Sequence, residues 1–250
     1  MVIKLLNKVF GGLGYTLNKK SSVVPADIFG DEDFMLLYEK CKDYTMTTIE
    51  RMYSLYQAMD YIFKNNVEGD LVECGVWKGG SSMLMALMLE KYKMKKRKLY
   101  LFDTFEGMSE PSLVDKTYAG DSASDLLKRE RKEIASSVWC YSSLEEVKEN
   151  LLSTGLEAGN LYFVKGKIEE TLKKNLPGKL SLLRLDTDWY ESTKVELELL
   201  FPLLNEKGVL IIDDFGHWEG AKKAVVEYFD KEKLTPFLFR IDFTGRLMIK

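Results

Sequence analysis

Short apolar runs alternate with helical patterns along most of this chain. Runs with the length of buried strands cover 69–75, 98–103, 161–164, 180–185 and 209–212. Segments that repeat apolar residues every three to four positions cover 46–64, 82–92, 168–176, 192–204 and 218–232. This alternation predicts an α/β fold, in which helices cover both faces of a parallel sheet.

The end of the chain has a different pattern. Residues 236–241 and 246–249 flank Thr244-Gly245, which predicts an antiparallel hairpin. Near the start of the helical segment 192–204, Thr193 and Glu196 have the spacing of a capping box, which predicts that this helix begins there.

Two segments stand outside the alternation. More than fifty residues separate the second predicted strand from the third, too many for one crossover helix. We interpret 107–160 as a lid insertion, with a loop over 107–121 and helices near 125–134 and 144–152. Residues 1–30 contain the break Ser21-Ser22-Val23-Val24-Pro25 and are predicted to form an N-terminal arm. The main domain is then 31–250.

The arm begins with an amphipathic pattern that allows three interpretations. Ile3, Leu6 and Phe10 share one helical face, with Lys4 and Lys8 elsewhere. Such a helix packs on the domain or on a partner subunit, or lies weakly in a membrane interface; the third interpretation is a disordered tail. The pattern is too short and too lysine-rich for a secretory signal. We expect a cytoplasmic protein, with peripheral contact at the inner face of a membrane left open.

Composition places the chain among ordinary soluble globular proteins. It has 250 residues, of which 46% are hydrophobic and 30% charged, and no apolar stretch reaches the length of a membrane span. A net charge of −3 gives no support for nucleic-acid binding. Three isolated cysteines argue against a disulfide framework or a zinc site and fit a reducing compartment.

Four aspartates follow two of the predicted strands. Asp186 and Asp188 come after the strand that ends at residue 185, and Asp213 and Asp214 follow the next strand. Ligands of open α/β sheets bind at the carboxyl ends of strands, and neighbouring strands lie roughly 5 Å apart. Carboxylates crowded in this way need a cation, so the pattern predicts a hard divalent metal with oxygen ligands. Mg²⁺ is one metal of this kind.

A glycine loop joins the first predicted strand to the helix after it. The loop, Glu73-Cys74-Gly75-Val76-Trp77-Lys78-Gly79-Gly80-Ser81-Ser82, has neither the G-x-G-x-x-G spacing of dinucleotide sites nor the G-K-[ST] ending of a P-loop. Glu73 suits a ligand with a cationic amine. Asp103 ends the second strand, where an acidic residue accepts hydrogen bonds from ribose hydroxyls. The loop with Asp103 predicts a nucleoside-bearing cofactor, and the alternative for the loop is a structural turn.

Four blocks of sequence resemble the macrocin O-methyltransferase family over roughly residues 40–232. They are Leu71 to Ser81, Leu101 to Gly107, Leu183 to Thr193 and Ile212 to Phe215. The resemblance implies a Rossmann-like, seven-stranded, mostly parallel sheet that ends in an antiparallel hairpin. It also implies an enzyme that transfers a methyl group from S-adenosylmethionine to a sugar hydroxyl, with Mg²⁺ at the site.

The resemblance also implies roles for individual residues. Asp186, Asp213 and Asp214 would bind the metal, and Asp188 would be the general base. The residues expected at the cofactor are Glu73, Gly75, Gly79, Ser81, Asp103, Thr104, Tyr44 and Met46, of which the last two belong to a segment that closes over it.

Several assignments have alternatives. Asp188 is also placed to cap the following helix, and Asp213 or Asp214 to form only a turn. His217, the sole histidine, is a second candidate base, because a histidine has a suitable pKa. Trp189 and Tyr190 are either a platform for a sugar ring or core residues.

The acceptor and the class of enzyme also have alternatives. A metal and a base suit an aliphatic hydroxyl, whose pKa coordination lowers, so we expect a sugar, either an antibiotic deoxysugar or a sugar of a surface glycan or glycolipid. A catechol-type O-methyltransferase with a phenolic acceptor is the first alternative. A glycosyltransferase that uses Asp186-Thr187-Asp188 as a D-x-D motif is the second. We expect a homo-oligomer and take a dimer as its simplest form.

Overall fold

The computed structural model describes residues 24–94, 96–132, 134 and 137–250. Within these residues seven strands form one sheet in the order β3-β2-β1-β4-β5-β7-β6. The strands are β1 (Asp70–Cys74), β2 (Leu99–Asp103), β3 (Leu161–Lys165), β4 (Leu180–Leu185), β5 (Leu204–Ile212), β6 (Phe239–Arg240) and β7 (Arg246–Ile249). β1 to β5 are parallel, and β7 is antiparallel to both β5 and β6. The predicted Rossmann-like fold with its C-terminal hairpin is confirmed.

Helices cover both faces of this sheet. They are α1 (Ala26–Phe29), α2 (Glu32–Cys41), α3 (Ile49–Lys64), α4 (Gly80–Lys91), α5 (Ala123–Arg129), α6 (Leu144–Leu152), α7 (Ile168–Thr171), α8 (Tyr190–Leu200) and α9 (Glu219–Lys231). Short 3-10 turns occupy Lys42–Tyr44, Ala158–Asn160 and Phe201–Leu203.

Alternation along the strands divides the buried residues between two clusters. Leu71, Leu182 and Ile211 point to the face covered by α2, α3 and α4. Val72 and Leu183 point to the opposite face, which α8 and α9 cover. Successive side chains of a strand point to opposite faces. Glu73, Arg184 and Asp213 come two positions after Leu71, Leu182 and Ile211 and therefore point to the same face, toward α3.

The register of the parallel strands brings the predicted site residues into one row. The paired residues nearest the carboxyl edge are Phe102, Cys74, Leu185 and Ile212, in the order β2-β1-β4-β5. The next residues along these four strands are Asp103, Gly75, Asp186 and Asp213. The strand order changes direction between β1 and β4, which is where open α/β sheets bind ligands.

The predicted capping box at the start of α8 is wrong. α8 begins at Tyr190, and Thr193 and Glu196 are both buried within it. The backbone N–H of Tyr190 donates instead to Asp115 Oδ1 at 2.8 Å. Asp115 belongs to the lid insertion, so a distant carboxylate replaces the local cap.

Some predicted helices are shorter in the structure. α7 ends at Thr171, whose carbonyl accepts a hydrogen bond of 2.9 Å from the side-chain amide of Asn175. α8 ends at Leu200, because Pro202 follows in a 3-10 turn and β5 begins at Leu204. In the lid insertion, α5 covers Ala123–Arg129 instead of the predicted 125–134.

The predicted arm lies mostly outside the described residues. Residues 1–23, with the amphipathic pattern on which a membrane contact depends, are not described. Within 24–30, Ile28 is buried in the core cluster beneath α2 and α3. The boundary at residue 30 stays a prediction. Among the helices of the described segments, none is long and apolar enough to cross a membrane.

Candidate active site

A cavity of about 370 Å³ opens at the carboxyl edge of the sheet, where the row of site residues lies. Most of the predicted site residues line it: Tyr44, Met46, Gly75, Ser81, Asp103, Thr104, Asp186, Asp188, Asp213, Asp214 and His217. Glu73 and Gly79 do not. The lid insertion adds Gly107, Met108, Ser109, Ser137, Val138 and Cys140.

Close backbone contacts hold the glycine loop in place. Gly75 has a φ of +83°, and a Cβ built on it would lie 1.9 Å from the carbonyl oxygen of Asp186. A Cβ on Gly80 would lie 2.7 Å from the backbone of Tyr44. Only glycine fits at such contacts. The loop is therefore pressed against the end of β4 on one side and against the Tyr44-Thr45-Met46 segment on the other.

Asp103 binds the glycine loop from the end of β2. Its Oδ2 accepts hydrogen bonds from the backbone N–H groups of Val76, at 2.6 Å, and Trp77, at 3.2 Å. Its Oδ1 accepts from the N–H of Phe105 at 2.7 Å. Burial raises the pKa of Asp103, and these three donors act against that rise. Asp103 thus shapes the loop and still lines the cavity where a ribose is predicted to bind.

Glu73 lies one layer behind the cavity wall. Its side chain is fully buried, with Oε1 2.6 Å from Arg184 Nη1 and Oε2 accepting a hydrogen bond from Ser82. Glu73 is thus outside the cavity lining, and its expected place beside the methionine part of the cofactor stays a prediction. Because Glu73 points to the α3 face of the sheet, it meets the strand residue Arg184 rather than the cavity.

Arg184 joins the glycine loop to the aspartate clusters. Its guanidinium is buried and lies 2.6 Å from a carboxylate oxygen of each of Glu73, Asp186 and Asp213. A buried charge is tolerated when ion pairs and hydrogen bonds compensate for its desolvation, as they do here. Sequence reasoning did not select Arg184. The available signal was one arginine inside the apolar run of β4, two positions before the first of a pair of aspartates.

Three carboxylates form a compact group between β4 and β5. Oxygen atoms of Asp186, Asp188 and Asp214 all lie within 4.8 Å of one another. Burial raises the pKa of Asp188 to about 7 and the pKa values of Asp186 and Asp214 well above their ordinary range, with neighbouring carboxylates adding to each rise. Asp214 Oδ2 is buried and has no hydrogen-bond partner among the described residues.

Asp213 lies beside this group and is paired with arginines. Its Oδ1 is 2.6 Å from Arg184 Nη2, and its Oδ2 pairs with Arg51, which comes from α3. Arg51 also lines the cavity, and sequence reasoning did not select it. The predicted ligands and the compact group therefore share Asp186 and Asp214. They differ in the third member, Asp213 in the prediction and Asp188 in the geometry.

Asp188 has a backbone conformation that is rare for its residue type. Its φ is +67°, and the N–H of Trp189 donates to the carbonyl of Thr187 at 2.7 Å, which makes a tight turn centred on Asp188. Left-handed residues other than glycine persist where the surrounding structure imposes them, and they cluster at functional sites. Since Asp115 caps α8, the alternative role of Asp188 as a cap is wrong.

His217 lies at the rim of the cavity, edge-on to Tyr118 and Trp218 with ring centroids 5.9 and 4.9 Å away. Burial, with help from the positive charge of Arg51, lowers the pKa of His217.

Trp189 is buried and packs edge-on against Trp218, so Trp189 is a core residue and not a sugar platform. Tyr190 donates to Glu227 at 2.6 Å and does not line the cavity.

Comparison with known proteins agrees with this geometry. The model of the macrocin O-methyltransferase family matches residues 39–250. The chain belongs to this family. The protein is therefore an O-methyltransferase, and S-adenosylmethionine is its methyl donor. Membership of the macrocin O-methyltransferase family excludes the interpretation of Asp186-Thr187-Asp188 as a glycosyltransferase motif.

Curated relatives found by sequence comparison have names that describe O-methyltransferases. The demethyldecarbamoylnovobiocin O-methyltransferase of Streptomyces niveus is 35% identical over 202 residues, 81% of this chain and 74% of the relative. The 8-demethyl-8-(2,3-dimethoxy-alpha-L-rhamnosyl)-tetracenomycin-C 4'-O-methyltransferase of Streptomyces olivaceus is 33% identical over the same shares of the two chains. Among solved structures, the O-methyltransferase NovP is similar with a TM-score of 0.72 and 33% identity, covering 83% of this chain and 82% of NovP.

Proposed function

We propose that this O-methyltransferase methylates a hydroxyl of a sugar, with Mg²⁺ held between the ends of β4 and β5. The observation on which this rests is the compact group of Asp186, Asp188 and Asp214, which adjoins the glycine loop within one cavity. The names of the relatives support the sugar, because one of them includes a rhamnosyl group.

The residues present fit a hard divalent cation. Such ions take carboxylate oxygens, and this site offers several, one of them an oxygen of Asp214 with no hydrogen-bond partner in the described part of the chain. Burial raises the pKa values of Asp186 and Asp214, and the neighbouring carboxylates add to the rise, so a bound cation would favour their ionised forms. Mg²⁺ bound here would lower the pKa of an acceptor hydroxyl and fix its orientation.

Residues of the chain supply the rest of the chemistry. We assign Asp188 as the group that removes the acceptor's proton, because it borders the predicted metal ligands and faces the cavity. The glycine loop and Asp103 would hold the cofactor, and the lid insertion would exclude water from the transfer. Holding the acceptor oxygen close to the methyl carbon provides much of the rate enhancement in such reactions.

Titration calorimetry with S-adenosylhomocysteine and Mg²⁺ tests the cofactor, the metal and its ligands. The wild-type protein should bind both. Asp213→Asn and Asp188→Asn then separate the two ligand sets: the substitution that removes a true ligand should weaken Mg²⁺ binding by about tenfold or more, and the other should lower turnover with little effect on Mg²⁺ affinity. A wild-type protein that binds S-adenosylhomocysteine but not Mg²⁺ would remove the metal from the mechanism.

His217 is the second candidate base and has a matched test. His217→Gln keeps a polar side chain of similar reach but cannot accept a proton at neutral pH. If His217 only borders the site, turnover should fall less than about tenfold, whereas a general base contributes about 10² to 10⁴. A larger loss than that from Asp188→Asn would exchange the two assignments.

A panel of acceptors would identify the substrate class. It should contain nucleotide-activated deoxysugars, glycosylated antibiotics, lipid-linked sugars and a catechol. Methylation of the catechol alone would replace the proposed sugar with the phenolic alternative. Methylation of lipid-linked sugars would favour a surface glycan over an antibiotic.

The assembly and location of the protein remain proposals. We propose a homodimer in the cytoplasm, and we keep the weak membrane-surface contact of residues 1–30 as a secondary hypothesis. Light scattering on the purified chain tests the dimer. Co-sedimentation with anionic vesicles, comparing the full chain with a variant that lacks 1–23, tests the contact.

A further inference from the structure

Arg51 lines the side of the cavity that the aspartates after β4 and β5 form, which we call the acceptor side. Its side chain is 14% exposed and lines the cavity, where it pairs with Asp213. Its charge also acts on Asp186, Asp188 and Asp214. The guanidinium of Arg51 therefore lies beside Asp213, one of the predicted ligands of the proposed Mg²⁺.

The pairing of Arg51 with Asp213 is the point at which the predicted and observed ligand groups differ. Asp213 is a predicted ligand, but both of its oxygens face arginines, and it stands outside the compact group. Of these arginines, Arg184 is enclosed by three carboxylates at 2.6 Å, while Arg51 is at the cavity surface. Arg51 is the less enclosed of the two, with 14% of its side chain exposed against 3% for Arg184.

A second carboxylate is available to Arg51. Asp242, in the β6–β7 turn, has its Oδ2 3.1 Å from Arg51 Nε. That Nε is buried without a hydrogen-bond acceptor in suitable alignment among the described residues, so its pairing with Asp242 is incomplete. The N–H groups of Thr244 and Gly245 and the hydroxyl of Thr48 all donate to Asp242, which keeps its carboxylate fixed and ionised.

We infer that Arg51 is a positioning residue that competes with the divalent cation for Asp213. Without the cation, Arg51 balances the charge of the carboxylates and holds Asp213. When the cation binds, Asp213 turns to it and the guanidinium completes its contact with Asp242. This inference rests on the proposed function, since it requires a divalent cation at the site.

The competition predicts that loss of Arg51 strengthens Mg²⁺ binding. Loss of a residue that only supports the site would weaken it. Arg51→Gln should tighten Mg²⁺ binding on the order of tenfold, because a positive charge near the cation is lost and Asp213 is released. Arg51→Lys keeps the charge but loses the fork that spans two carboxylates. It should tighten binding less. Asp242→Asn should weaken Mg²⁺ binding, because the released guanidinium then has no second anion.

Calorimetric titration of the full chain with Mg²⁺, and with Mn²⁺ as a second probe, measures these affinities. Arg97→Gln is the matched control: Arg97 bonds to Val67, Gly69 and Ser181, away from the cavity, and its loss should leave Mg²⁺ affinity unchanged. Circular dichroism establishes that each variant is folded, and Arg51→Lys retains the test should Arg51→Gln not fold.

The outcomes separate this inference from the proposed function. Tighter binding in both Arg51 variants supports the competition. Wild-type affinity that equals or exceeds that of both variants overturns the competition but leaves the Mg²⁺ site in place. No Mg²⁺ binding by the wild-type protein or any variant overturns both the metal site and the role of Arg51.

Discussion

Buried carboxylates lie on both sides of the cavity, beside the glycine loop (the cofactor side) and after β4 and β5 (the acceptor side). Those on the cofactor side are bound by donors of the protein, whereas on the acceptor side only Asp186 and Asp213 pair with arginines among the described residues. Asp103 accepts three backbone hydrogen bonds, and Glu73 is bound by Arg184 and Ser82. On the acceptor side, Asp188 and Asp214 face each other and other acids, and one oxygen of Asp214 has no partner among the described residues.

This difference helps to separate structural acids from acids that await a ligand. A buried carboxylate without partners is costly, so a fold keeps one where something else completes it. On the cofactor side, the acids build the loop that receives the ligand. On the acceptor side, the acids are themselves the predicted contacts.

Exchanging the two kinds of acid for their amides gives the largest expected effect. Asp214→Asn should lower turnover by about 10³-fold or more, because it removes a predicted metal ligand, and should change S-adenosylhomocysteine affinity by less than about threefold. Asp103→Asn should instead weaken the affinity for S-adenosylhomocysteine by about tenfold and leave the affinity for Mg²⁺ unchanged. Steady-state kinetics and calorimetry measure both. If the two variants lose the same function, the division between the sides is wrong.

Arg184 connects the two sides, and its removal should destabilise the protein. Arg184→Met keeps much of the side-chain length but leaves Glu73 buried without its cation and Asp213 with Arg51 alone. Breaking a buried ion pair costs about 3–5 kcal/mol, and we expect about 3 kcal/mol here.

Urea denaturation followed by circular dichroism measures this loss. Arg97→Met is the control, because Arg97 bonds only to neutral oxygen atoms and should cost about 1–2 kcal/mol. Equal losses in the two variants would show that the ion pairs of Arg184 add nothing to stability beyond ordinary hydrogen bonds.

Glu196 provides a smaller test through pH. It is buried in α8, where Thr187 donates to its Oε1 at 2.9 Å, while Glu169 and Asp214 lie close enough to oppose its ionisation. Burial raises its pKa to about 8, from 4.5. The folded protein thus retains a proton that the unfolded chain has lost, so this residue destabilises the fold progressively as pH rises from about 4.5 to about 8.

Glu196→Gln removes that dependence. The variant should exceed wild type in free energy of unfolding by about 4 kcal/mol at pH 8 and by about 1 kcal/mol at pH 5. Urea unfolding at both pH values measures the difference. A gap between variant and wild type that is the same at pH 5 and pH 8 would mean that Glu196 is already ionised in the folded protein at pH 5.

The sequence predicted the frame of the site well because the frame depends on local patterns. The apolar runs located most of the ends of β1 to β5 to within a few residues. The residues that follow four of these strands form the row at the sheet edge. Alternation of strands and helices then placed Gly75, Asp103 and Asp186 together without any knowledge of tertiary contacts.

Tertiary partners were the part that local patterns did not contain. Arg51 meets Asp213 across 162 positions of sequence, and Asp115 caps α8 from 75 positions away. The Thr193–Glu196 spacing predicted a cap, but burial of both side chains and the bond from Thr187 to Glu196 override that preference. Arg51 was missed for this reason.

The contact between Gly75 and the carbonyl of Asp186 has a practical consequence for redirecting the enzyme to another acceptor. Because main chain meets main chain there, the backbone sets the spacing between the ends of β1 and β4, and it does so only with glycine at position 75. Randomised libraries aimed at new acceptors should therefore vary the walls, such as Met108, Ser109 and Val138, and leave the β1 and β4 exits unchanged. Grafting either exit alone from a distant relative would disturb both subsites at once.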